Sequence, residues 1–442
     1  RFFETQNGDS TQLNCYVMLT KSKHKSISFE LEGTNSAGDL GAAASVSFQH
    51  RNLFRGSETF MVKFRGAYEA ISGLQPGYKN HNYTEYGVET SINFPNFLFP
   101  FLTSDFKRRI KATTEFGLQY NYQLRPEFSR TIASASWSYK WMQKQKIQHR
   151  IDLLDISYLY LPWISSQFQE DYINKDKDNY ILKYNYENRL IVRMGYNYSY
   201  NSAGGALVNN TITTNSYSIR AGFESAGNIL YGISKMINMR KNKDGEYAIL
   251  GIPYAQYLKG DFDFAKNIII DHRNSLAFHA GIGIAVPYGN AKVVPFEKRY
   301  FSGGANSVRG WSVRNLGPGS FAGDGNFMNQ SGDIKLDASI EYRTRLFWKF
   351  RGAAFIDAGN IWTIREYENQ PGGVFEFDKF YKQIAVAYGL GLRLDLDFFV
   401  LRFDGGMKAI NPKYKKAKER YPIIHPKFSR DFAFHFAVGY PF

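Results

Sequence analysis

The sequence predicts an all-β fold, a sixteen-stranded antiparallel β-barrel that crosses a membrane. Three observations predict it. Apolar and polar residues alternate with a period of two in most segments. Aromatic side chains are abundant, with 37 Phe, 31 Tyr and 6 Trp among 442 residues. No apolar run approaches the roughly 18 to 20 residues that a membrane-spanning helix needs. A mean hydropathy of −0.40 suggests a soluble protein, but it averages over two opposite strand faces.

The alternation gives each predicted strand one apolar face and one polar face. Between Leu190 and Tyr200 every even position is apolar or aromatic, whereas the odd positions include Arg193 and Asn197. From Ile334 to Arg343 the odd positions are Lys, Asp, Ser, Glu and Arg. Successive residues of a strand point to opposite faces, so these segments are amphipathic strands.

Two architectures produce such strands: a soluble sandwich or barrel, and a transmembrane barrel with its polar face turned inward. Four features favour the membrane. The apolar faces are about ten residues long, the length that crosses a bilayer at a tilt. Tyr and Phe cluster near segment ends, polar faces carry opposite charges and many Gly, and shorter connections alternate with longer ones.

An even number of strands places both chain ends on the same side of the membrane. The longest connection is 287–332, and segment 161–188 has room for a short helix. Residues 1–25 fit the barrel poorly, and 12–19 read as one strand of another unit. The predicted barrel strands are 26–34, 40–50, 58–68, 83–94, 108–121, 128–142, 147–160, 189–200, 215–225, 254–266, 276–286, 333–345, 349–362, 383–394, 398–408 and 430–442.

The connection 287–332 is predicted to fold back into the barrel. It is rich in Gly and holds three large apolar side chains, Phe301, Val308 and Trp311, close together, which a solvated loop tip does not need. Its glycines allow the backbone to approach the wall. A buried Arg309 then requires a carboxylate, because an unpaired guanidinium is very costly to bury. The polar faces offer Glu341 and Asp357.

Several segments of the sequence resemble motifs of a known family. Residues 299–311 resemble the sixth-loop motif of the BamA/TamA family of outer-membrane assembly barrels, an aromatic–x–Gly–Gly segment followed by Val/Ile–Arg–Gly–aromatic. Residues 355–360 resemble its Phe–x–Asp–x–Gly strand motif, and 51–54 its first periplasmic turn. The aromatic strand ending at Phe442 resembles its C-terminal assembly signal. Residues 304–311, 316–320, 332–336 and 439–442 resemble the Bacteroidetes TamA-like lipoproteins (TamL).

The resemblance implies a role in assembly or insertion of outer-membrane proteins, or in envelope translocation, with the N-terminus in the periplasm. It implies that 1–25 is the end of the last POTRA domain and 26–442 the barrel. The loop motif in the lumen comprises Phe301, Gly303, Gly304, Val308, Arg309, Gly310 and Trp311, with Glu341 and Asp357 as acidic partners of Arg309. The lateral seam between the first and last strands comprises Ser28, Phe29, Glu30, Leu31, Phe434, Phe436, Val438, Gly439, Tyr440 and Phe442.

Implied partners are the outer-membrane bilayer, client outer-membrane proteins and a TamB-like partner. The net charge of +15 is assigned to lumen and loops, with lipopolysaccharide as a further partner. Basic residues form no stripe for nucleic acid. No enzyme motif is found, and no cofactor or metal site is expected. Alternatives are BamA itself and, from another class, a passive diffusion or secretion pore. Arg309 and its acids could also be an ordinary lumen ion network.

Overall fold

A computed structural model describes residues 2–7, 10–18, 23–36, 39–71, 82–170, 184, 186–203, 215–323, 329–396 and 398–442. Sixteen antiparallel strands form one sheet in which neighbours along the chain are neighbours in the sheet. These strands are β3 (Lys25–Ser36), β4 (Asp39–Arg51), β5 (Thr59–Ala70), β6 (Asn82–Phe94), β7 (Thr113–Leu124), β8 (Phe128–Gln143), β9 (Ile147–Ile164), β10 (Arg189–Asn201), β11 (Ser216–Ala226), β14 (Tyr257–Ile269), β15 (Asn274–Pro287), β16 (Ile334–Arg345), β17 (Phe350–Trp362), β18 (Ala385–Asp395), β19 (Val400–Ile410) and β20 (Phe432–Val438).

Among the described residues, four short strands lie outside this sheet. The hairpin β1 (Phe2–Asn7) and β2 (Ser10–Cys15) forms a two-stranded sheet of its own, and β12 (Ala248–Ile249) pairs with β13 (Ile252–Pro253) inside a long connection. Helices are short: α1 (Ser104–Ile110), α2 (Ser166–Phe168), α3 (Asn228–Met236), α4 (Ala417–Arg420) and α5 (Phe428–Asp431). Among the described residues, no helix combines the length and apolar character needed to cross a bilayer.

The outer face of the sheet is apolar and exposed. Large side chains at every second position point away from the interior, and those on neighbouring strands continue one another as a belt. In water such a surface would far exceed the apolar patch of a soluble monomer, whereas in a bilayer it is the expected lipid contact. Members of the belt on strands β14 to β18 and on β20 include Phe262, Ile282, Ile340, Ile356, Leu390 and Phe434.

The inner face is polar, and the loop between β15 and β16 crosses it. This loop contacts β8 through Glu297 and Arg130 (2.7 Å) and contacts β17 through Arg309 and Asp357 (2.8 Å). Strands β8 and β17, seven places apart in the sheet, therefore face one another across a loop-filled lumen, so the sheet curls into a barrel. The predicted fold class is confirmed, because the polar faces turn inward as a transmembrane barrel requires.

All sixteen predicted strands are present, and two differ notably in their bounds. Strand β7 begins at Thr113 rather than at 108, because Ser104–Ile110 forms α1 with Lys111 in a left-handed conformation after it. Strand β20 ends at Val438 rather than at 442, because the chain turns at Gly439, whose φ is +84°. The helix expected within 161–188 is α2; most of that connection lies outside the described residues.

Candidate functional site: the lumen loop and the seam

The segment from Phe301 to Trp311 packs against the inner wall. Val308, Trp311 and Leu316 form an apolar cluster with Ala385 and Ala387 of β18, and all five are buried. Small alanines leave the space that these larger loop side chains occupy. The apolar part of the motif therefore anchors the loop to the wall by burial.

Glycines make the tight turn of this segment. Gly303 and Gly304 have φ values of +95° and +97°, which residues with a Cβ rarely adopt. A Cβ on Gly303 would lie 2.4 Å from the Ser312 carbonyl oxygen. The N–H of Gly304 donates to the Trp311 carbonyl at 2.8 Å, which closes the turn. A Cβ on Gly310 would lie 2.8 Å from that of Ala387, so the loop backbone touches the wall.

Arg309 lies at the centre of a buried ion network. Its Nε and Nη2 atoms each donate to one oxygen of Asp357 at 2.8 Å, and its Nη1 donates to Glu341 Oε2 at 2.5 Å. The backbone N–H of Arg309 also donates to Asp357 (3.1 Å). The Arg309 side chain is 1% exposed and both acids are 0% exposed. The contact predicted between Arg309 and these carboxylates is therefore present with both.

The environment keeps Arg309 charged. Burial by itself would lower the pKa of its guanidinium, but the hydrogen bonds and charges of Asp357 and Glu341 outweigh that effect and raise the pKa. The guanidinium also lies 3.5 Å from the ring centroid of Phe355, a cation–π contact. The loop is thus held by a permanent charge with satisfied partners.

Strands β18 and β19 extend the network beyond the predicted residues. Arg393 contacts Glu341 (3.2 Å) and Asp404 (2.5 Å), and Asp404 lies 3.5 Å from Arg309. Arg402 lies 3.7 Å from Asp404 and donates to Asn306 of the loop. Alternation marks Arg393, Arg402 and Asp404 as lumen-facing, but the sequence gives no sign of which loop residue they meet.

The last strand also contacts the loop. His435 Nε2 donates to the Arg309 carbonyl oxygen at 3.0 Å. On β19, a Cβ at Gly406 would lie only 2.1 Å from that same oxygen. Arg309 therefore joins β16 and β17 through its side chain and β20 through its backbone, and it links the loop to one side of the seam.

Tyr300, upstream of Arg309, attaches the loop to the barrel wall at a second place. Its hydroxyl donates to Asp261 Oδ1 of β14 at 2.7 Å, and its ring fills the space beside Gly283, where a Cβ would lie 2.5 Å from Tyr300 Cζ. Burial, and then the hydrogen bond to Asp261, raise the pKa of the Tyr300 phenol, so it remains a neutral donor. Alternation marks Asp261 as lumen-facing, but the sequence gives no sign that it meets Tyr300.

The remaining loop-motif residue, Phe301, faces an aromatic and basic group within the loop. Its ring centroid lies 5.0 Å from that of Phe296, and the Arg314 guanidinium lies 4.4 Å above it. Phe301 does not contact the Arg309 network in the described structure. Phe301 therefore packs within the loop itself, in the segment between the two residues that attach the loop to the wall, Tyr300 and Arg309.

The first and last strands carry bare edges. Strand β3 pairs with β4 and β20 pairs with β19, but no backbone pair joins β3 to β20 among the described residues. Leu31 of β3 is 88% exposed and Phe434 of β20 is 61% exposed. Of the seam residues, Phe29, Leu31, Phe434, Phe436 and Val438 are exposed on the lipid side, whereas Ser28 and Glu30 lie on the lumen-facing side of β3.

Three predicted seam residues lie beyond the end of β20. After Gly439 the chain leaves the strand direction, and Phe442 stacks on His279 of β15 at 5.2 Å between ring centroids. The Arg343 guanidinium of β16 lies 4.6 Å from the Tyr440 ring and 5.3 Å from that of Phe442. Arg343 in turn donates to Glu341 at 2.8 Å. The C-terminal residues thus contact the Arg309 network from within the lumen.

No metal chemistry is evident in the part of the chain that the structure describes, where no three His, Cys, Asp or Glu side chains are grouped to hold an ion. The site consists of ion pairs, a packed loop and two open strand edges. Such an arrangement can bind partners and exchange backbone hydrogen bonds at the strand edges.

Comparison with known proteins agrees with this architecture. The model of the Omp85 superfamily domain matches residues 17–442. Outer membrane protein assembly factor BamA of Neisseria meningitidis is 32% identical over 97 residues, which is 20% of this chain and 12% of that relative. The chain thus matches only a small part of that relative's length.

A solved structure supports the same fold. BamA from Haemophilus ducreyi lacking POTRA domains 1–3 superposes with a TM-score of 0.58 at 16% identity, covering 95% of this chain and 70% of that one. CdiB from Acinetobacter baumannii gives a TM-score of 0.44 at 11% identity, covering 94% and 59%. With nearly its whole length matched by the family model, this chain belongs to the Omp85 superfamily.

Proposed function

We propose that this chain is the barrel of an outer-membrane factor that inserts or assembles other barrel proteins, or moves polypeptide across the envelope, through the seam between β3 and β20. The observation that carries the proposal is the pair of unpaired strand edges. Unsatisfied backbone groups in a bilayer are very costly, so such edges are suited to capture an incoming strand.

The filled lumen argues against the alternative of a passive pore. A diffusion channel requires sixteen paired strands and an open water path, whereas here the loop of β15–β16 crosses the lumen from Arg130 to Asp357. A client need not pass through that lumen. It can enter the bilayer sideways at the seam, and burial of its apolar face against lipid drives the step without a nucleotide.

The assignment to a subgroup of the family rests on short sequence motifs. Segments 304–311 and 439–442 favour a TamA-like role of the Bacteroidetes TamL type over BamA itself. The separate hairpin β1–β2 supports the assignment of residues 1–25 to the end of a POTRA domain, which places the N-terminus in the periplasm. A TamB-like periplasmic protein is the proposed partner, and the clients are outer-membrane proteins.

The test locks the seam with a disulfide. In a Cys15→Ser background of the full-length protein, cysteine pairs are scanned between 27–31 of β3 and 434–438 of β20. The pair that cross-links is expected to abolish barrel assembly, measured by outer-membrane proteomics after depletion of the wild type, with recovery on reduction. The control pair is Phe403→Cys with Phe436→Cys, which joins strands already paired.

Two outcomes decide the question. Normal outer-membrane protein levels with a locked seam would refute the lateral mechanism. A locked seam that leaves protein levels unchanged while small-solute uptake falls on loss of the protein would favour the pore.

A further inference from the structure

The connection between β19 and β20, residues 411–431, is strongly basic. It holds seven Lys or Arg residues against two acids. Arg430 pairs with Asp431 at 2.8 Å, and Arg420 donates to the Lys382 carbonyl oxygen at 2.6 Å. No ion-pair partner is found within the described chain for the remaining five cations, which are Lys413, Lys415, Lys416, Lys418 and Lys427. Uncompensated positive charge of this density points to an anionic partner.

Three of these lysines, together with Arg430, line an open cleft. Its volume is about 460 Å³, and its lining residues are Lys416, Ala417, Lys418, Glu419, His425, Lys427 and Arg430. Glu419 is the one acid among these lining residues, so the lining is net positive. The space is many times the ~30 Å³ that one water occupies, which suits a bulky phosphorylated headgroup better than a bare ion.

Hydrogen bonds hold the 411–431 connection in place. The N–H of Asn411 donates to the Arg420 carbonyl at 2.8 Å, which closes the first half of the connection. Lys408 Nζ of β19 donates to the Arg430 carbonyl at 2.9 Å, and the N–H of Lys427 donates to Asp431 at 2.9 Å. The cations therefore lie on a segment that hydrogen bonds hold in place next to the end of the barrel wall.

Exposed apolar residues of the same segment place it at the membrane boundary. The ring of Phe428 stacks on Phe432 with centroids 4.3 Å apart, and Phe432 is the first residue of β20 on its lipid-facing side. Ile424 is 69% exposed and Ile423 is also exposed. Apolar side chains that continue the lipid belt, with lysines beside them, match the layer where acyl chains give way to charged headgroups.

We propose that the 411–431 connection binds the phosphate groups of an anionic glycolipid in the outer leaflet, directly beside the edge of β20. The proposal rests on the membrane orientation given above, in which this end of the barrel faces outward. The consequence is local: phosphorylated lipid is held at the seam, where lipid must move aside when a client strand enters.

The test measures lipid binding without any client, so it is independent of assembly activity. Full-length protein in phosphatidylcholine nanodiscs is titrated with bisphosphorylated lipid A, and separately with lipid A whose phosphates have been removed. Binding is expected only with the phosphorylated form and is expected to weaken with added salt. The variant Lys416→Gln/Lys418→Gln/Lys427→Gln is expected to bind about a hundredfold more weakly, at roughly fivefold per lysine.

The matched control removes the same charge from the same end of the barrel. Lys235→Gln/Lys241→Gln/Lys243→Gln lies in the β11–β14 connection and is expected to leave the affinity unchanged. Equal binding of dephosphorylated lipid A would contradict a phosphate-binding site at 411–431. An equal loss of affinity in the control variant would contradict it too. Full competition by millimolar inorganic phosphate would overturn the assignment to lipid and identify a site for free phosphate. A failed seam-locking test with intact lipid A binding would overturn the proposed function alone.

Discussion

Arg309 of the lumen loop and Asp357 of β17 are joined by two parallel side-chain hydrogen bonds of 2.8 Å, and neither side chain is accessible to solvent. The same carboxylate accepts the backbone N–H of Arg309 at 3.1 Å. Three donors on one acid fix both the position and the direction of the loop. A planar guanidinium suits this geometry because its fork matches the two oxygens of a carboxylate.

Removal of the Asp357 charge is expected to destabilise the barrel. Asp357→Asn preserves the side-chain shape but leaves the buried Arg309 with poorer compensation, and loss of one partner of a buried pair typically costs about 3–5 kcal/mol. Urea unfolding in detergent, followed by the heat-modifiable electrophoretic shift, measures the change. Lys140→Gln is the control, because Lys140 and Glu115 form a part-exposed pair on the opposite wall worth at most about 1 kcal/mol. Equal midpoints for the two variants would contradict the prediction.

The strands could be predicted from sequence because burial imposes a strict period of two on them. The same rule cannot foresee α1, where residues 104–110 depart from the strand that 108–121 predicted. It also identifies Arg393, Asp404 and His435 as lumen-facing without showing that they meet Arg309. Those contacts depend on how the sheet curls and how deep the loop descends, and both arise from pairs far apart in the chain. Glu341 and Asp357 could be named as partners of Arg309 because a buried guanidinium requires a carboxylate and both acids lie on polar strand faces.

Gly406 is expected to be required for the loop to reach the wall. A Cβ there would lie 2.1 Å from the Arg309 carbonyl oxygen, so Gly406→Ala must push the loop inward. Overpacking of this kind costs about 1–3 kcal/mol, which corresponds to a rise of roughly 5- to 150-fold in the detached population. Limited trypsin digestion should therefore cut after Arg309 at a correspondingly higher rate. Gly405→Ala is the control, since its Cβ would meet only the edge of the Phe432 ring at 3.1 Å. Equal cleavage of both variants would show that the close approach is unimportant.

Gly283 and Tyr300 are expected to be energetically coupled. Gly283→Ala should displace the Tyr300 ring and break its hydrogen bond to Asp261, because the new Cβ would lie 2.5 Å from Cζ. In a Tyr300→Ala background the same substitution should cost little, which gives a coupling free energy of about 1–3 kcal/mol in a double-mutant cycle. Gly260→Ala on the neighbouring strand has nothing within 4 Å of its Cβ and should be neutral in either background. Additive effects of Gly283→Ala and Tyr300→Ala would refute the coupling.

Gly439 is expected to control whether the C-terminal residues stay in the lumen. Its φ of +84° costs a residue with a Cβ about 1–2 kcal/mol, and nothing lies within 4 Å of an added Cβ, so Gly439→Ala acts through backbone strain alone. The contacts of Phe442 with His279 and of Tyr440 with Arg343 should then loosen.

In a Cys15→Ser background, Pro441→Cys should react about tenfold faster with a bulky maleimide when Gly439→Ala is present. Gly439→Asn should raise the rate less, because Asn tolerates positive φ better than Ala does. A rate that Gly439→Ala leaves unchanged, or that Gly439→Asn raises more, would show that the turn is not what holds the C-terminus inside.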